Sequence, residues 1–318
     1  MPERFYLDNA ATSWPKPEAV YAAVERYQRQ SGAPAGRSSY QMAGAAGRIV
    51  TRARTGIARL LNAESADRIV FAAGGTDALN LAIHGILRPG DHVVTTVCEH
   101  NSVLRPLMHW IETAGAEVTY VPCDDHGVVA TDDVHRALRA DTRLVVVIHG
   151  SNVTGALQPI GVIAQAARDA GAFSLIDAAQ TAGHVPIDLQ ALGVDLLAAP
   201  GHKGLLGPLG TGLLYVRPGV EKHLQTVRQG GTGSHSDEDH QPLRLPDKYE
   251  SGNLNVLGLA GLAASIEFLH ERTIAALEQQ QRELTTRLIS GLEPLVGVKV
   301  HGPPASEKRL PVVSFTVD

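Results

Sequence analysis

The sequence predicts an α/β protein whose mostly parallel sheet is covered by helices on both faces. Two observations carry this. Apolar, β-branched runs recur along the chain, and helical stretches of roughly ten to fifteen residues separate most of them. These runs are apolar throughout rather than alternating, as strands buried on both faces require. The 32 Gly and 18 Pro add a third sign, because they punctuate many short elements without any collagen-like period.

In chain order, RFYLDNAAT opens with a short extended segment, and Trp14, Pro15 and Pro17 mark a turn. EAVYAAVERYQRQ reads as a helix that stops near SGAPAG. QMAGAAGRIVTRARTGIARLLNA is a second helix, weakened by its glycines. The strand RIVFAA passes through a glycine loop into the helix of GGTDALNLAIHGIL. The strands DHVVTTVCE, AEVTYVPCD and TRLVVVIHG follow, each leading to a helix, and then FSLIDAAQ and GVDLLAAPG. HKGLLGPLGTGLLYVRP completes the series. Right-handed crossovers should join the parallel neighbours. GGTGSHSDEDHQPLRLPDKYESGNLN is a long polar connection, of a length that marks function or mobility. A helical stretch and two short strands end the chain. They suggest a second, small domain that has begun and is incomplete, with VVSFTV left at an open edge. An ordinary finished terminal strand is the alternative.

Composition excludes several classes. With 44% apolar and 19% charged residues the chain is not disordered. A net charge of -5 argues against a nucleic-acid partner. MPERFYLDNA lacks the pattern of a secretory signal, and no apolar run is long enough for a membrane span. The only cysteines, Cys98 and Cys123, make neither a metal cluster nor a disulfide scaffold; a single bridge is the less favoured alternative. These features point to a cytoplasmic protein.

Ligands of open α/β sheets sit beyond the carboxyl ends of the strands, where four polar segments fall. In AAGGT, Gly74 and Gly75 permit close backbone approach, and Thr76 offers an N–H and a hydroxyl at a helix start. That suits a phosphate; an ordinary tight turn fits equally. Asp177 ends the apolar strand FSLID and needs a cationic partner there, unless it caps a helix. Gln180, three residues on, reaches a second atom of the same ligand if a helix begins there. Lys203 lies in APGHKGLLGPLGTG. A lysine so crowded by glycine is either a Schiff-base nucleophile close to a buried cofactor or a point charge for phosphate, with His202 beside it as a second phosphate contact. His100 ends VVTTVCE and can stack on a flat cofactor or move a proton, or be a satisfied polar side chain. Asn152, in HGSNVTG, can donate to a ring oxygen or a substrate. As a set these groups suit a phosphorylated pyridine aldehyde.

The motifs YLDNAAT (6–12), AGGTDALNLA (73–82), CEHNSV (98–103), SNVTG (151–155), DAAQTAG (177–183), GHKGLLGPLGTG (201–212) and YESGNLN (249–255) resemble those of class V aminotransferase-fold enzymes. Within that fold they are most similar to the cysteine desulfurase and selenocysteine lyase group, over essentially the whole chain. The resemblance implies the type I fold of pyridoxal-phosphate enzymes. That fold has a mostly parallel seven-stranded sheet sandwiched by helices and a small α/β C-terminal domain. Residues 1–20 would then form a segment shared with the small domain and the active-site entrance. Residues 21–255 would form the large cofactor domain, and 256–318 a linking helix and the start of the small domain. Residue by residue, Lys203 would carry pyridoxal 5'-phosphate and Asp177 hold its ring nitrogen. Gln180 would contact the ring hydroxyl, and His100 stack on the ring. Gly75, Thr76 and His202 would hold the phosphate, and Asn152 lie near ring and substrate. The resemblance further implies a homodimer in which Thr232 of GGTG serves the neighbouring subunit's phosphate.

The expected reaction converts L-cysteine to L-alanine and passes sulfur to an acceptor thiol, with a sulfur-acceptor protein as a further partner. Selenocysteine lysis, another class V reaction, or a scaffold that keeps the cofactor are the alternatives. Pro200 stands where the family often has Ser and removes one phosphate donor. The family's persulfide-forming cysteine and carboxylate-gripping arginine fall beyond residue 318, and neither Cys98 nor Cys123 takes the cysteine's place. The expectation is therefore that these residues bind the cofactor but turn over poorly without a C-terminal continuation.

Overall fold

The computed structural model describes residues 5–36, 40–233 and 238–318. Its central sheet has seven strands: β1 (Ile69–Ala72), β2 (His92–Thr96), β3 (Glu117–Val121), β4 (Thr142–Ile148), β5 (Phe173–Asp177), β6 (Leu196–Pro200) and β7 (Gly212–Val216). They lie in the order β1-β7-β6-β5-β4-β2-β3. β3, β2, β4, β5 and β6 run parallel to one another; β7 is antiparallel to both of its neighbours. The reason lies in the connection. No helix separates β6 from β7, so the chain cannot cross over and must return antiparallel.

Side-chain alternation divides the core between the two faces. Val93, Leu144, Val146, Leu175 and Leu196 point to one face, where they meet Leu79, Ile83 and Ile86 of α3 (Gly75–Ile86) and Leu107 of α4 (Asn101–Ala114). Val94, Val145, Val147, Ile176 and Leu197 point to the other, against α2 (Gln41–Leu60), α6 (Ile160–Asp169) and α8 (Val256–Arg272). α5 (Thr131–Ala137) and the short α7 (Leu189–Leu192) complete the layers between strands. Every residue of β2, β6 and β7 is buried, which explains why those runs carry no polar alternation.

α8 is apolar on nearly all sides because it packs between α1 (Glu18–Gln30) and α2. The glycines of α2 have a use here. A Cβ on Gly56 would stand 2.9 Å from Ile266 Cγ2, so the close approach of α2 to α8 requires glycine. The helix loses about 1 kcal/mol of propensity there and avoids an overpacking cost of comparable or larger size. Arg54 of α2 forms a buried two-pronged pair with Glu250, both contacts at 2.7 Å. Glu250 also accepts from Phe71 N at 2.6 Å. The YESGN segment is thereby pinned to β1.

Residues 5–16 form no strand. A turn closes at Ala11 N to Asp8 O, 3.1 Å, and the chain then runs over the 201–204 loop. After α8 come α9 (Ile274–Leu292) and a hairpin of β8 (Val298–His301) with β9 (Ser314–Val317). β9 is largely exposed, whereas Leu310 just before it is buried against the 150–155 turn. Its N–H donates to Gly155 O at 2.9 Å. No helix of the described residues is long and apolar enough to cross a membrane.

Candidate active site

A cavity of about 220 Å³ opens beyond the carboxyl ends of β2, β4, β5 and β6. The chain leaves β2 toward β3 and returns to β4 on the other side, which is the switch point where such sheets bind ligands. Eight of the nine residues singled out from the sequence line this cavity: Gly75, Thr76, His100, Asn152, Asp177, Gln180, His202 and Lys203. Thr232 is not among the residues lining the cavity of its own chain.

Asp177 is the last residue of β5 and is 2% exposed. One carboxylate oxygen accepts from Ala179 N at 2.8 Å. Burial pushes its pKa above the usual carboxylate range, against the opposing pull of the Ala179 N–H, Lys203 and His100. Residues 178–181 make a turn and α7 starts only at Leu189, so Asp177 caps no helix. Gln180 is buried, and its amide donates to Ala10 O at 2.9 Å, tying the N-terminal segment to the cavity.

Lys203 is half-buried in the connection between β6 and β7. Burial lowers its amine below the ordinary lysine range, while Asp177 pulls it back up. Its flanking glycines answer to the chain itself. A Cβ on Gly201 would stand 2.2 Å from Thr211 Oγ1, and one on Gly204 would stand 2.5 Å from Ala182 O. The argument that glycine lets this backbone approach a cofactor is therefore corrected: these glycines let the loop approach neighbouring protein. His202 Nδ1 lies 3.1 Å from Thr12 Oγ1. Burial lowers its pKa, and Lys203 and Lys16 lower it further.

Two helix starts border the same cavity. Thr76 sits in the first turn of α3, and Gly75 before it is needed because a Cβ would meet Pro200 Cδ at 3.0 Å. His100 is the N-cap of α4; its Nδ1 accepts from Ser102 N at 3.1 Å, so the ring proton sits on Nε2. Ser102 Oγ lies 2.9 Å from His100 Nδ1 and 2.7 Å from Thr76 Oγ1. Ser102 thus links His100 to Thr76 across the cavity, a contact the sequence reading missed although Ser102 stands in CEHNSV. Lys16 was missed as well; it donates to His202 O and to Ser13 Oγ, both at 2.7 Å. Glu99 is a third omission. It lies buried beneath the site and accepts from Thr96 Oγ1 at 2.7 Å and Ile148 N at 2.9 Å. Burial pushes its carboxyl up to about 8, with Asp177 adding to the rise.

The arrangement is a buried acid at the floor, with an amine driven toward neutrality beside it. Hydroxyls and helix N–H groups stand at the rim. A group carrying both an anionic part and a basic ring nitrogen would find partners there. The family model for class-V aminotransferases matches residues 5–318. The chain belongs to that family, and within it to the cysteine desulfurase group. A probable cysteine desulfurase of Methanothermobacter thermautotrophicus is 36% identical over 319 residues, 99% of this chain and 78% of that protein. A probable cysteine desulfurase of Halalkalibacterium halodurans is 35% identical over 98% of this chain and 77% of its own length. Among solved structures, the apo cysteine desulfurase of Thermococcus onnurineus superposes with a TM-score of 0.91 at 31% identity, over 98% of this chain and 78% of that one. The seven-stranded α/β fold expected of type I pyridoxal-phosphate enzymes is the fold observed.

Membership of this family implies use of pyridoxal phosphate, and the residues fit that group. The buried Asp177 carboxylate, pushed up by burial, would gain an ionic partner in a protonated pyridine nitrogen. The His202 imidazole, lowered by burial, would gain one in a phosphate, and the Lys203 amine, also lowered by burial, would be available to the aldehyde.

Proposed function

We propose that this chain is a pyridoxal-phosphate-dependent cysteine desulfurase. It converts L-cysteine and an acceptor thiol into L-alanine and a persulfide of the acceptor. The observation that carries this reading is the pairing of Lys203 with Asp177 in one cavity, each driven by burial toward its neutral form. The names of the relatives select desulfuration among the reactions this family performs.

When bound, pyridoxal phosphate supplies the electron sink that lets an α-proton and then a β-substituent leave an amino acid. The chain supplies the rest. Lys203 Nζ would hold the aldehyde group and would accept and return the proton at the substrate Cα. Burial shifts that amine toward its neutral, nucleophilic form. Asp177 would keep the pyridine nitrogen protonated, and Gln180 and Asn152 would contact the ring hydroxyl and the substrate. Thr76, Ser102 and His202 would hold the phosphate, with the α3 N-terminus adding its partial positive charge. His100 would stack on the ring, with its Nε2–H turned toward the substrate.

The enzyme acts as a cytoplasmic homodimer in which Thr232 reaches the phosphate of the neighbouring site, and a sulfur-acceptor protein is its second partner. The exposed Leu7, Trp14 and Leu209 around the N-terminal segment support such an interface. Borohydride reduction of the loaded protein followed by peptide mapping tests the core of the proposal. Label on Lys203, together with alanine and sulfide from L-cysteine and a reducing thiol, is expected. Label on another lysine, or keto-acid formation in place of alanine, would overturn it.

A further inference from the structure

Cys98 and Cys123 are the chain's only thiols, and the site described above uses neither. They stand two residues past the ends of β2 and β3. Those strands are parallel neighbours with Thr96 opposite Val121, and the ladder continues one step further, Val97 N donating to Val121 O at 3.0 Å. Past that rung the chain turns at residues 97–98, leaving Cys98 at the end of β2 beside the end of β3 that carries Cys123. Cys123 packs against the apolar cluster that holds Val94 and Val121. The two thiols are within hydrogen-bonding reach of each other, and Cys98 Sγ lies 3.7 Å from Gly127 O. Adjacent strands are about 4.8 Å apart. That falls inside the window of roughly 4.4–6.8 Å that a disulfide spans between Cα atoms. Both cysteines are unbridged and half-buried, so a small oxidant reaches them. Among the described residues no group of three or more His, Cys, Asp or Glu is placed to hold a metal ion.

We propose that Cys98 and Cys123 form a reversible dithiol–disulfide site that small hydroperoxides oxidise and that clamps the ends of β2 and β3 together. The clamp bears on the active site because Cys98 directly precedes Glu99 and His100, and the backbone there has no strand partner after Val97. Burial and the hydrogen bond to Cys123 keep the Cys98 thiol protonated, its pKa pushed up to about 12. The first attack falls to Cys123, because the Cys98 thiol is engaged with Gly127 O at 3.7 Å. Its sulfur bonds the outer oxygen of the hydroperoxide, the O–O bond breaks, and a sulfenic acid forms as the alcohol leaves. Cys98 sulfur then displaces the sulfenic hydroxyl. The S–S bond forms, the S–O bond breaks, and the Cys98 proton departs with the hydroxyl as water. Two thiols and one hydroperoxide give one disulfide, one alcohol and one water.

The test uses the reduced full chain and hydrogen peroxide. Non-reducing peptide mapping should join the Cys98 and Cys123 peptides within one chain. The intact mass should fall by two hydrogens, and dithiothreitol should reverse both changes. Cys98→Ser should stop the reaction at a Cys123 sulfenic acid that dimedone traps. Amide exchange over residues 97–104 should slow in the oxidised form. Thiols that stay titratable after peroxide, or links found only between chains, would overturn the site. Unchanged exchange over 97–104 in the cross-linked form would overturn the clamp. No readout depends on cysteine turnover, so failure here leaves the desulfurase reading untouched, and the reverse holds too.

Discussion

The peptide carbonyl between His202 and Lys203 accepts the Lys16 ammonium at 2.7 Å. Ser13 N at 3.1 Å, Ser13 Oγ at 3.0 Å and Thr12 Oγ1 at 3.2 Å converge on the same oxygen. The N-terminal segment is thus fastened to the loop that carries Lys203. Burial pushes the Lys16 pKa down from 10.5 to about 8. For a base lowered on folding, the unfolded chain binds more protons between those two values, so stability rises with pH across that window and the full penalty applies below it. Urea unfolding of the cofactor-free protein between about pH 8 and pH 10 should show that rise. Lys16→Met should flatten it; equal slopes in parent and variant would remove Lys16 as its source.

Glu99 gives the opposite sign. Its carboxyl is raised from 4.5 to about 8 by burial. The folded state keeps a proton that the unfolded chain releases, so stability falls as pH rises through this range and then levels off. The loss is on the order of a few kcal/mol. Glu99→Gln keeps an oxygen for Thr96 and Ile148 and cannot ionise. Its stability relative to the parent should improve steadily between about pH 5 and about pH 8. A constant difference across that range would show that Glu99 ionises freely.

Asp177→Asn should leave the fold intact and slow α-proton exchange at saturating cofactor. A hydrogen bond to a charged group is worth about 1.5–3 kcal/mol, which corresponds to roughly ten- to a hundredfold in rate. An exchange rate equal to the parent's would deny Asp177 its role.

Glu250→Gln should cost about 3–5 kcal/mol, because it strands the buried Arg54 guanidinium. Calorimetry would show a large fall in melting temperature. The double change Arg54→Met with Glu250→Gln should recover part of it. A single variant as stable as the parent would mean that solvent reaches this pair.

The sequence was most informative where one short range of the chain decides the outcome. EAVYAAVERYQRQ is α1 residue for residue, and TRLVVVI is β4, since periodicity and β-branching are local properties. Asp177 and Lys203 were legible because a charge at the end of an apolar strand and a lysine among glycines are conspicuous. DHVVTTVCE was read as a strand through Glu99, yet β2 ends at Thr96. The chain turns there so that Glu99 can accept from its own Thr96 and from Ile148 on the next strand. Lys16 escaped notice for a related reason: its partner lies 186 residues away, and a lysine near prolines resembles any solvated one. Ser102 was hidden because its hydroxyl serves two residues from different helices.

The antiparallel return of β7 has a consequence for ligand binding. Pro200 and Gly212 are register partners, so both ends of the connection carrying Lys203 are held by one rung of the sheet. Gly201 N to Thr211 O at 2.8 Å and Gly207 N to Gly201 O at 2.7 Å close it further from within. The loop-closure entropy of residues 201–211 is therefore lost when the sheet forms rather than when a ligand arrives. What remains to be ordered on binding is the lysine side chain, at about 2 kcal/mol or less. A ligand that engages Lys203 would meet a backbone already in place, and its affinity would reflect side-chain contacts rather than folding of the loop.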